Sequence, residues 1–287
     1  MTQGVRVACL GDVMLDVIVE APEGLVPDDD TSATITFAAG GQAANVAAWV
    51  VSLGGEARLF GPRSDHGHGG MVANALARRG VSVTGPLVSR PGTVVSLVTS
   101  GTRSMASDPG DASWLDQVEP GPWLDGVDWL FVSGYALLRA SDPAHLVRTA
   151  ATARAAGVRV AVDLASASLL EHYGPARFRA LWQSLEPAVV FANDAEWTAT
   201  HHGAGERPSG FGTGGRSVLV LKHGARGADF VIDGVVDPRA AVPGPVVDAT
   251  GAGDSLTAGY LVGGADLAMA TAARCVAHVG AQPPEPA

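Results

Sequence analysis

The sequence predicts an α/β protein with three layers, in which helices flank a mostly parallel sheet, and a small β-sheet that projects from it. From residue 128 onward, short apolar runs alternate regularly with segments of helical periodicity. Such repeated β–α–β units predict parallel strands, because each crossover helix must cover one face of the sheet. Three strand-like segments near residues 14–20, 32–37 and 94–106 interrupt the alternation, and we expect them to form the small sheet, here called the lid.

Each strand is predicted from a short apolar run or from a short alternation of apolar and polar residues. In chain order the predicted strands are Val5–Leu10, Met14–Glu20, Ser32–Phe37, Ala57–Phe60, Val94–Thr99, Arg103–Ala106, Trp129–Val132, Arg159–Val162, Val189–Ala192, Val218–Leu221 and a hairpin-like piece at Ala228–Val236. A Pro/Gly/Asp-rich break separates the second strand from the third, and Ser100 with Gly101 turns the hairpin between the fifth and the sixth.

The helices are predicted from Ala-rich or amphipathic segments between these strands. They are Gly40–Leu53, which two glycines open, Gly70–Arg79, Pro143–Ala156, Pro175–Leu185, Ala195–His201, and two closing helices that begin at Gly253 and Asp266. A Gly-rich segment at 203–215 is predicted to be a loop. The elements together predict a single domain over residues 1–287, from which the lid projects.

The composition is typical of a compact globular protein and excludes several classes of partner. The 287 residues are 47% hydrophobic and 17% charged, and their formal net charge is −10. No basic surface is left to neutralise phosphates, so neither nucleic acid nor an anionic membrane is expected as a partner.

Two cysteines and the N-terminal segment indicate a cytoplasmic protein. Cys9 and Cys275 lie far apart in apolar runs and are expected to be buried thiols, not a disulfide. No signal peptide and no apolar stretch of membrane-spanning length is found in the sequence. Lys222 is the only lysine among 19 basic residues.

The segment Asp248–Gly259, DATGAGDSLTAG, is the most informative for chemistry. Gly251, Ala252 and Gly253 precede a predicted helix, so their N–H groups can converge on a phosphate at its positive end. Asp254 follows in the first turn, where it is well placed to accept a proton from an attacking hydroxyl. The alternative is an ordinary capping aspartate after a flexible loop.

Two N-terminal segments are candidates for binding a hydroxyl-bearing ligand. In AGGQAAN, the glycines Gly40 and Gly41 allow close approach to the backbone, and Asn45 offers both a donor and an acceptor. In GDVMLD, Asp12 and Asp16 follow the first strand, at the end where open α/β sheets bind ligands. The alternatives are a Gly turn with a solvated Asn45, and a turn aspartate followed by an exposed one.

Weaker signals follow two later strands. Glu196 in NDAE could hold a divalent ion through water, or Asn193 could simply cap the helix. Lys222 and the glycines Gly224 and Gly227 in KHGARG could line a nucleotide, or form no more than a hairpin.

Several other patterns are rejected. Gly210–Gly215 matches G-x-G-x-x-G but precedes a strand and opens no helix, and no Walker-type phosphate loop occurs. The pairs His66/His68 and His201/His202 have no Cys or carboxylate partner at metal-ligand spacing, so they predict no metal site.

Taken together, the segments resemble the ribokinase-like, or PfkB, family of carbohydrate kinases. The resemblance runs from Gly11 to Gln282 and includes GGQAAN and DATGAGD in the family order. It also includes the family's N-x-x-E motif at 193–196 and its nucleotide-side Gly turn at 224–227.

The resemblance implies a ribokinase-like fold and ATP-dependent phosphorylation of a sugar hydroxyl, usually a primary one. Asp254 would be the general base, and the N–H groups of Gly251, Ala252 and Gly253 would stabilise the γ-phosphoryl group in transfer. The implied sugar-binding residues are Asp12, Asp16, Gly40, Gly41 and Asn45. The implied nucleotide-binding residues are Asn193, Lys222, Gly224 and Gly227. Arg103 on the lid hairpin could reach a phosphate or carboxylate of the substrate.

The resemblance further implies Mg²⁺, held by Glu196 through water, and a K⁺ site formed by Asp248, Thr250 and Gly280. Members activated by a monovalent cation often carry Ser after GAQP, where this chain has Pro284. Closure of the lid would exclude water, and a homodimer through the lid is implied as well. A nucleoside kinase on the same fold and a non-catalytic regulator that binds a sugar or nucleotide are the alternatives.

Overall fold

The computed structural model describes residues 4–65, 67–100, 102–201 and 218–284. The strands among them are β1 (Arg6–Leu10), β2 (Met14–Glu20), β3 (Thr34–Gly40), β4 (Glu56–Phe60), β5 (Ser82–Thr84), β6 (Gly92–Thr99), β7 (Thr102–Asp108), β8 (Trp129–Ser133), β9 (Arg159–Asp163), β10 (Val189–Asn193), β11 (Val218–Lys222), β12 (Ala228–Ile232) and β13 (Val235–Arg239). The helices are α1 (Gln42–Ser52), α2 (His68–Arg78), α3 (Gly134–Arg139), α4 (Ala144–Ala155), α5 (Ala167–Tyr173), α6 (Pro175–Ser184), α7 (Asp194–His201) and α8 (Ala252–Val276).

The main sheet has nine strands in the order β13-β12-β11-β10-β9-β8-β1-β4-β5. All neighbours from β11 to β5 are parallel, and only β12 and β13 pair antiparallel. Strand β1 lies between β4 and β8, so the strands that follow β1 in the chain are added first on one side of it and later on the other. Open α/β sheets bind ligands at the carboxyl ends of the strands at the point where the strand order reverses in this way.

Helices cover both faces of the sheet, which confirms the predicted three-layer α/β fold. Along β1, Val7 and Cys9 pack with α1, α2 and α8, whereas Ala8 and Leu10 pack with α3 to α7. This two-residue alternation arises because successive side chains of a strand point to opposite faces. Both cysteines are buried and unpaired, as predicted.

The second sheet has four strands in the order β3-β2-β6-β7, and it is built from the three segments predicted for the lid. Its strands β2 and β6 are parallel, whereas β3 and β7 pair antiparallel at the two edges. The strand β3 runs to Gly40 and α1 begins at Gln42, so the predicted helix at Gly40–Leu53 starts two residues later than expected.

Both predicted closing helices are present. They are the two parts of α8, which Gly264 separates with a non-helical backbone at φ 80° and ψ −163°. The short elements β5, α3 and α5 were not predicted, because each is too brief to show a clear period. The rejected Gly210–Gly215 pattern, the predicted loop at 203–215, His66 and His202 lie outside the described residues. Within the described ranges, no helix is long and apolar enough to cross a membrane.

Candidate active site

The lid strand β2 and the entry to α1 meet at the predicted sugar-binding residues. A Cβ atom at Gly40 would lie only 2.1–2.3 Å from the carboxyl atoms of Asp16, so a larger residue there would displace this carboxyl group. Gly41 adopts φ 97°, a left-handed conformation that favours glycine, and it lies against the backbone carbonyl of Asp12. The two glycines thus bring both aspartates to the start of α1.

The two sequence motifs meet at a direct contact between side chains. The amide Nδ2 of Asn45, in α1, donates a 2.8 Å hydrogen bond to Oδ2 of Asp254, in the first turn of α8. The other amide atom, Oδ1 of Asn45, is buried and has no hydrogen-bond partner in the described part of the chain. A buried acceptor without a partner is costly, so it is available to a hydroxyl donor of a ligand.

Burial and neighbouring charges change the pKa values of two carboxylates in this site. Burial raises the pKa of Asp254 to about 8, and the nearby Asp163 and Asp12 act in the same direction, while Asn45 and Lys222 oppose it. Burial, together with Asp12, raises the pKa of Asp16 to about 7, against the effect of Arg103. Carboxylates whose pKa lies close to neutrality are suited to general acid–base catalysis.

The carboxylate of Asp12 is largely occupied by protein donors. Its Oδ2 accepts a 3.1 Å bond from the backbone N–H of Gln42, and its Oδ1 lies 3.1 Å from the hydroxyl of Ser133 at the end of β8. The same hydroxyl also lies 2.6 Å from Oε1 of Gln42. Asp12 therefore stabilises the start of α1 and links it to β8, so its predicted contact with a sugar stays a prediction.

The predicted anion cradle lies at the start of α8. Gly251 adopts φ 75°, and a Cβ atom there would lie 2.6 Å from the backbone of Ala281. The N–H of Ala252 makes a long, 3.3 Å contact with the carbonyl of Ala249, while the first intrahelical bond runs from the N–H of Ser255 to the carbonyl of Gly251. The first-turn N–H groups lie at the positive end of a helix, where an anion is favoured.

A cavity of about 440 Å³ adjoins this cradle. It brings together Lys222, Gly224, Gly227 and Gly253, four of the residues predicted to contact the nucleotide or its phosphates. The far wall is apolar and is formed by Leu256, Met269, Ala272, Ala273 and Val276 of α8 with Val242 and Val246. A polar and cationic end followed by apolar walls suits a phosphorylated ligand with a flat, apolar group.

The N-x-x-E motif folds back on itself. Both carboxylate oxygens of Glu196 accept hydrogen bonds from Asn193, one from its backbone N–H at 2.8 Å and one from its Nδ2 at 2.7 Å. In return, Oδ1 of Asn193 accepts a 2.8 Å hydrogen bond from the backbone N–H of Glu196. Asn193 thus caps α7, and its predicted contact with the nucleotide stays a prediction. Each oxygen of Glu196 keeps a second lone pair, so this hard carboxylate still fits a water-mediated Mg²⁺ ion.

The residues predicted for a K⁺ site do not fit a cation well. Asp248 accepts bonds from the N–H of Thr250 at 2.9 Å, the hydroxyl of Thr250 at 2.5 Å and the N–H of Gly280 at 2.9 Å. The guanidinium of Arg103 lies 3.4 Å from the same carboxylate. Although burial opposes it, these bonds hold the pKa of Asp248 below its usual value. Protein donors and Arg103 therefore already neutralise the carboxylate that K⁺ would need.

Three residues of the site were not singled out from the sequence. Ser133 contacts Asp12, Asp163 binds Lys222 at 2.7 Å, and Tyr135 opens α3 beside the site. Burial, together with the charges of Asp12, Asp254 and Glu196, raises the pKa of Tyr135. The sequence signal that could have identified these residues is their position at or just after the carboxyl end of a central strand, β8 or β9.

Comparison with known proteins decides the family. Residues 5–286 match the model of the pfkB family of carbohydrate kinases. The chain belongs to the PfkB family. It is therefore a phosphotransferase that acts on a sugar hydroxyl, as predicted, and kinases of this family use ATP.

Relatives of this PfkB protein include enzymes with different acceptors. It is 29% identical over 270 residues to an ATP-dependent ribose-1-phosphate kinase of Halopiger xanaduensis, which covers 90% of this chain and 84% of the relative. It is 27% identical to a fructokinase of Escherichia coli, over 93% and 86% of the two chains.

The fold of the PfkB protein is also shared by solved structures. A probable sugar kinase of Rhizobium etli superposes with a TM-score of 0.84 at 20% identity, over 99% of this chain and 96% of that one. An adenosine kinase of Sinorhizobium meliloti superposes with a TM-score of 0.80 at 22% identity, over 99% and 97%. These structures confirm the ribokinase-like fold.

Proposed function

We propose that this protein transfers the γ-phosphoryl group of ATP to a hydroxyl, and specifically a primary hydroxyl, of a small sugar. The observation that carries the proposal is the 2.8 Å bond between Asn45 and Asp254, which joins the sugar-binding motif to the phosphoryl-transfer motif. The lid residue Asp16 lies against Gly40 at the same end of α1.

In the proposed reaction, Asp254 accepts the proton of the acceptor hydroxyl, whose oxygen forms a bond to the γ-phosphorus as the bond to ADP breaks. The N–H groups of Gly251, Ala252 and Gly253 face the charge on the group in transfer. Sugar hydroxyls bind Asp16, Asn45 and the backbone of Gly40 and Gly41, with Asp12 as the support of this loop. Oδ1 of Asn45, which is buried and lacks a partner in the described residues, accepts one of them.

The nucleotide occupies the cavity lined by Lys222, Gly224 and Gly227, with Asn193 at its edge. Glu196 would hold Mg²⁺ through water, and this ion would neutralise part of the charge of the phosphates. The carboxylates of Glu196 and Asp163 both lie close enough to Lys222 to affect its pKa, so the region carries the negative charge that a divalent ion requires.

Arg103 is the feature of the site that bears on the acceptor class. Its guanidinium, on lid strand β7, lies 3.4 Å from Asp248, and its charge acts to lower the pKa of both Asp248 and Asp16. The relative from Halopiger xanaduensis acts on ribose 1-phosphate, a sugar that already carries a phosphate. We include such phosphorylated sugars in the proposed substrate class, with Arg103 as the residue that would bind the extra anion.

The experiment that tests the proposal is a measurement of ADP release with Mg-ATP and a panel of acceptors. The panel contains pentoses, hexoses, ketoses, their 1-phosphates, heptose phosphates and nucleosides. Turnover of a sugar or sugar phosphate supports the proposal, whereas turnover of nucleosides alone supports the nucleoside kinase alternative. ATP or sugar binding without turnover of any acceptor supports the non-catalytic regulator.

The assembly and location of the protein are proposed on separate grounds. The outer face of the lid exposes Ile35, Phe37 and Val95, and a homodimer through this face would bury them. The two unpaired cysteines favour a reducing compartment, the cytoplasm.

A further inference from the structure

Lys222 and Asp163 form an ion pair that crosses the carboxyl end of the main sheet. They are the last residues of β11 and β9, and β10 lies between these two strands. The Nζ of Lys222 lies 2.7 Å from Oδ2 of Asp163, and the two side chains are only 14% and 1% exposed. A pair so far from water needs further bonds to offset the cost of desolvation.

Asp163 has those further bonds. Its Oδ1 accepts a 3.2 Å bond from the N–H of Ala165, and its Oδ2 lies 3.4 Å from the hydroxyl of Thr257 in α8. Ala165 adopts φ 76°, a conformation that residues other than glycine rarely adopt and that tends to persist at functional sites. The carboxylate is therefore fixed by the loop after β9, by β11 and by α8.

The ammonium group of Lys222 lies between the start of α8 and the nucleotide cavity. A Cβ atom at Gly253 would lie 3.2 Å from Nζ, so the lysine packs directly against the first turn of the helix. Burial alone would lower the pKa of Lys222, but the carboxylates of Asp163, Glu196 and Asp254 raise it above its usual value. The group is thus protonated at neutral pH.

We propose that Lys222 is a catalytic cation that contacts the phosphoryl group in transfer, and that Asp163 is the positioning residue that holds its ammonium group. The inference rests on the proposed function and deepens it. The helix start supplies N–H groups and Lys222 supplies a full positive charge at the same point, where a preorganised charge is most effective because water is excluded. Phosphoryl transfer depends mainly on such positioned charges.

The single lysine permits a direct test of this contact. Protein labelled with ¹³C at the lysine side chain gives one ε-methylene signal in an NMR spectrum, because Lys222 is the only lysine in the chain. We expect ATP to shift this signal and AMP, which lacks the terminal phosphates, to leave it nearly unchanged. A signal that ATP does not move would overturn the proposed contact, whether or not any variant folds.

Two variants test the roles of the pair. Lys222→Met should lower kcat by about 10²- to 10³-fold, the usual effect of removing one donor to a transition-state charge. Asp163→Asn keeps an acceptor for Ala165 but removes the charge, and we expect kcat to fall up to about 100-fold through misplacement of the ammonium. The pKa of Lys222, read from its NMR signal, should fall in this variant because the paired charge is lost. Loss of kcat with an unchanged KM for ATP, in a variant whose NMR signal shows the folded environment, distinguishes misplacement of the ammonium from a merely structural role of Asp163.

Asp237→Asn is the matched control. Asp237 forms an ion pair of 2.8 Å with Arg239, but this pair is exposed and lies outside the site. The control should leave kcat and the Lys222 signal unchanged. An active kinase in which Asp163→Asn changes neither kcat nor the pKa of Lys222 would refute the positioning role alone, whereas wild-type protein that binds ATP at Lys222 and turns over no acceptor would refute the proposed function alone.

Discussion

Asn45 and Asp254, which are 209 positions apart in the chain, share a hydrogen bond of 2.8 Å. The bond connects the first turn of α1 to the first turn of α8, and it orients the carboxylate that the proposed reaction needs as a base. A glycine, Gly41 or Gly251, immediately precedes each helix, and at both positions a Cβ atom would lie within 2.6 Å of a neighbouring backbone atom.

The first prediction concerns Asp254 itself. Asp254→Asn retains the shape of the side chain and removes the proton acceptor, so we expect kcat to fall by about 10²- to 10⁴-fold with an intact fold. The measurement is steady-state ADP release with the acceptor identified in the panel, together with a circular dichroism spectrum. Unchanged ATP consumption with that acceptor would rule out Asp254 as the base.

The second prediction concerns pH. Since Asp254 must be ionised to accept a proton and its pKa is raised to about 8, kcat/KM for the acceptor should rise with pH up to about 8. The Asn45 bond lowers this pKa, so Asn45→Ala should move the rising limb to higher pH. If the rising limb of the pH profile stays at the same pH in the variant, a group other than Asp254 controls it.

The third prediction concerns stability. The folded pKa of about 8 exceeds the usual value of 3.8, so the folded state holds a proton that the unfolded state has lost between these pH values. This contribution to stability is complete below pH 4 and is lost as pH rises through 8. Asp254→Asn has no carboxylate to ionise, so it does not lose this contribution. Its free energy of unfolding, measured with urea, should exceed that of the wild type at pH 8 and equal it near pH 4. A difference in free energy between variant and wild type that is the same at both pH values would contradict the raised pKa of Asp254.

The fourth prediction concerns the contact between Gly40 and Asp16, on the neighbouring lid strands β3 and β2. Gly40→Ala forces a methyl group into the carboxyl of Asp16, so we expect KM for the acceptor to rise at least about tenfold with little change in KM for ATP. Gly70→Ala in α2 is the matched control, because a Cβ atom there comes no closer than 3.9 Å to its neighbours. Equal kinetics of the two variants would exclude Asp16 from acceptor binding.

The fifth prediction concerns monovalent cations. Because Thr250, Gly280 and Arg103 already satisfy Asp248, activity should differ less than about twofold between KCl and tetramethylammonium chloride at equal ionic strength. Arg103→Gln provides the test of the cause, since it removes the charge that stands in for the ion. Strong activation of the wild type by K⁺ would contradict this prediction and support the K⁺ site that the resemblance implies.

Local patterns were sufficient to predict the central strands, the lid and the residues at the start of α1 and α8. The two glycines before an Ala-rich helix make Gly40, Gly41 and Asn45 candidates, but they predict equally a Gly turn with a solvated Asn45, and only the burial of Asn45 in the structure decides against that alternative. The pair of Lys222 and Asp163 was not predictable, since it depends on the order of β9, β10 and β11 in the sheet. Nor could the sequence show that Asp12 would bond to Gln42 and Ser133.

The lid and the body each contribute half of the proposed sugar site. Asp16 belongs to a lid strand, whereas Asn45 and Asp254 belong to helices packed on the main sheet. An acceptor can contact both groups of residues only while the lid and the body stay together. The preference for one sugar over another therefore depends on how well each sugar reaches from Asp16 on the lid to Asn45 and Asp254 on the body. Residues on the inner surface of β2, β6 and β7 are consequently the place to alter that preference without disturbing proton removal.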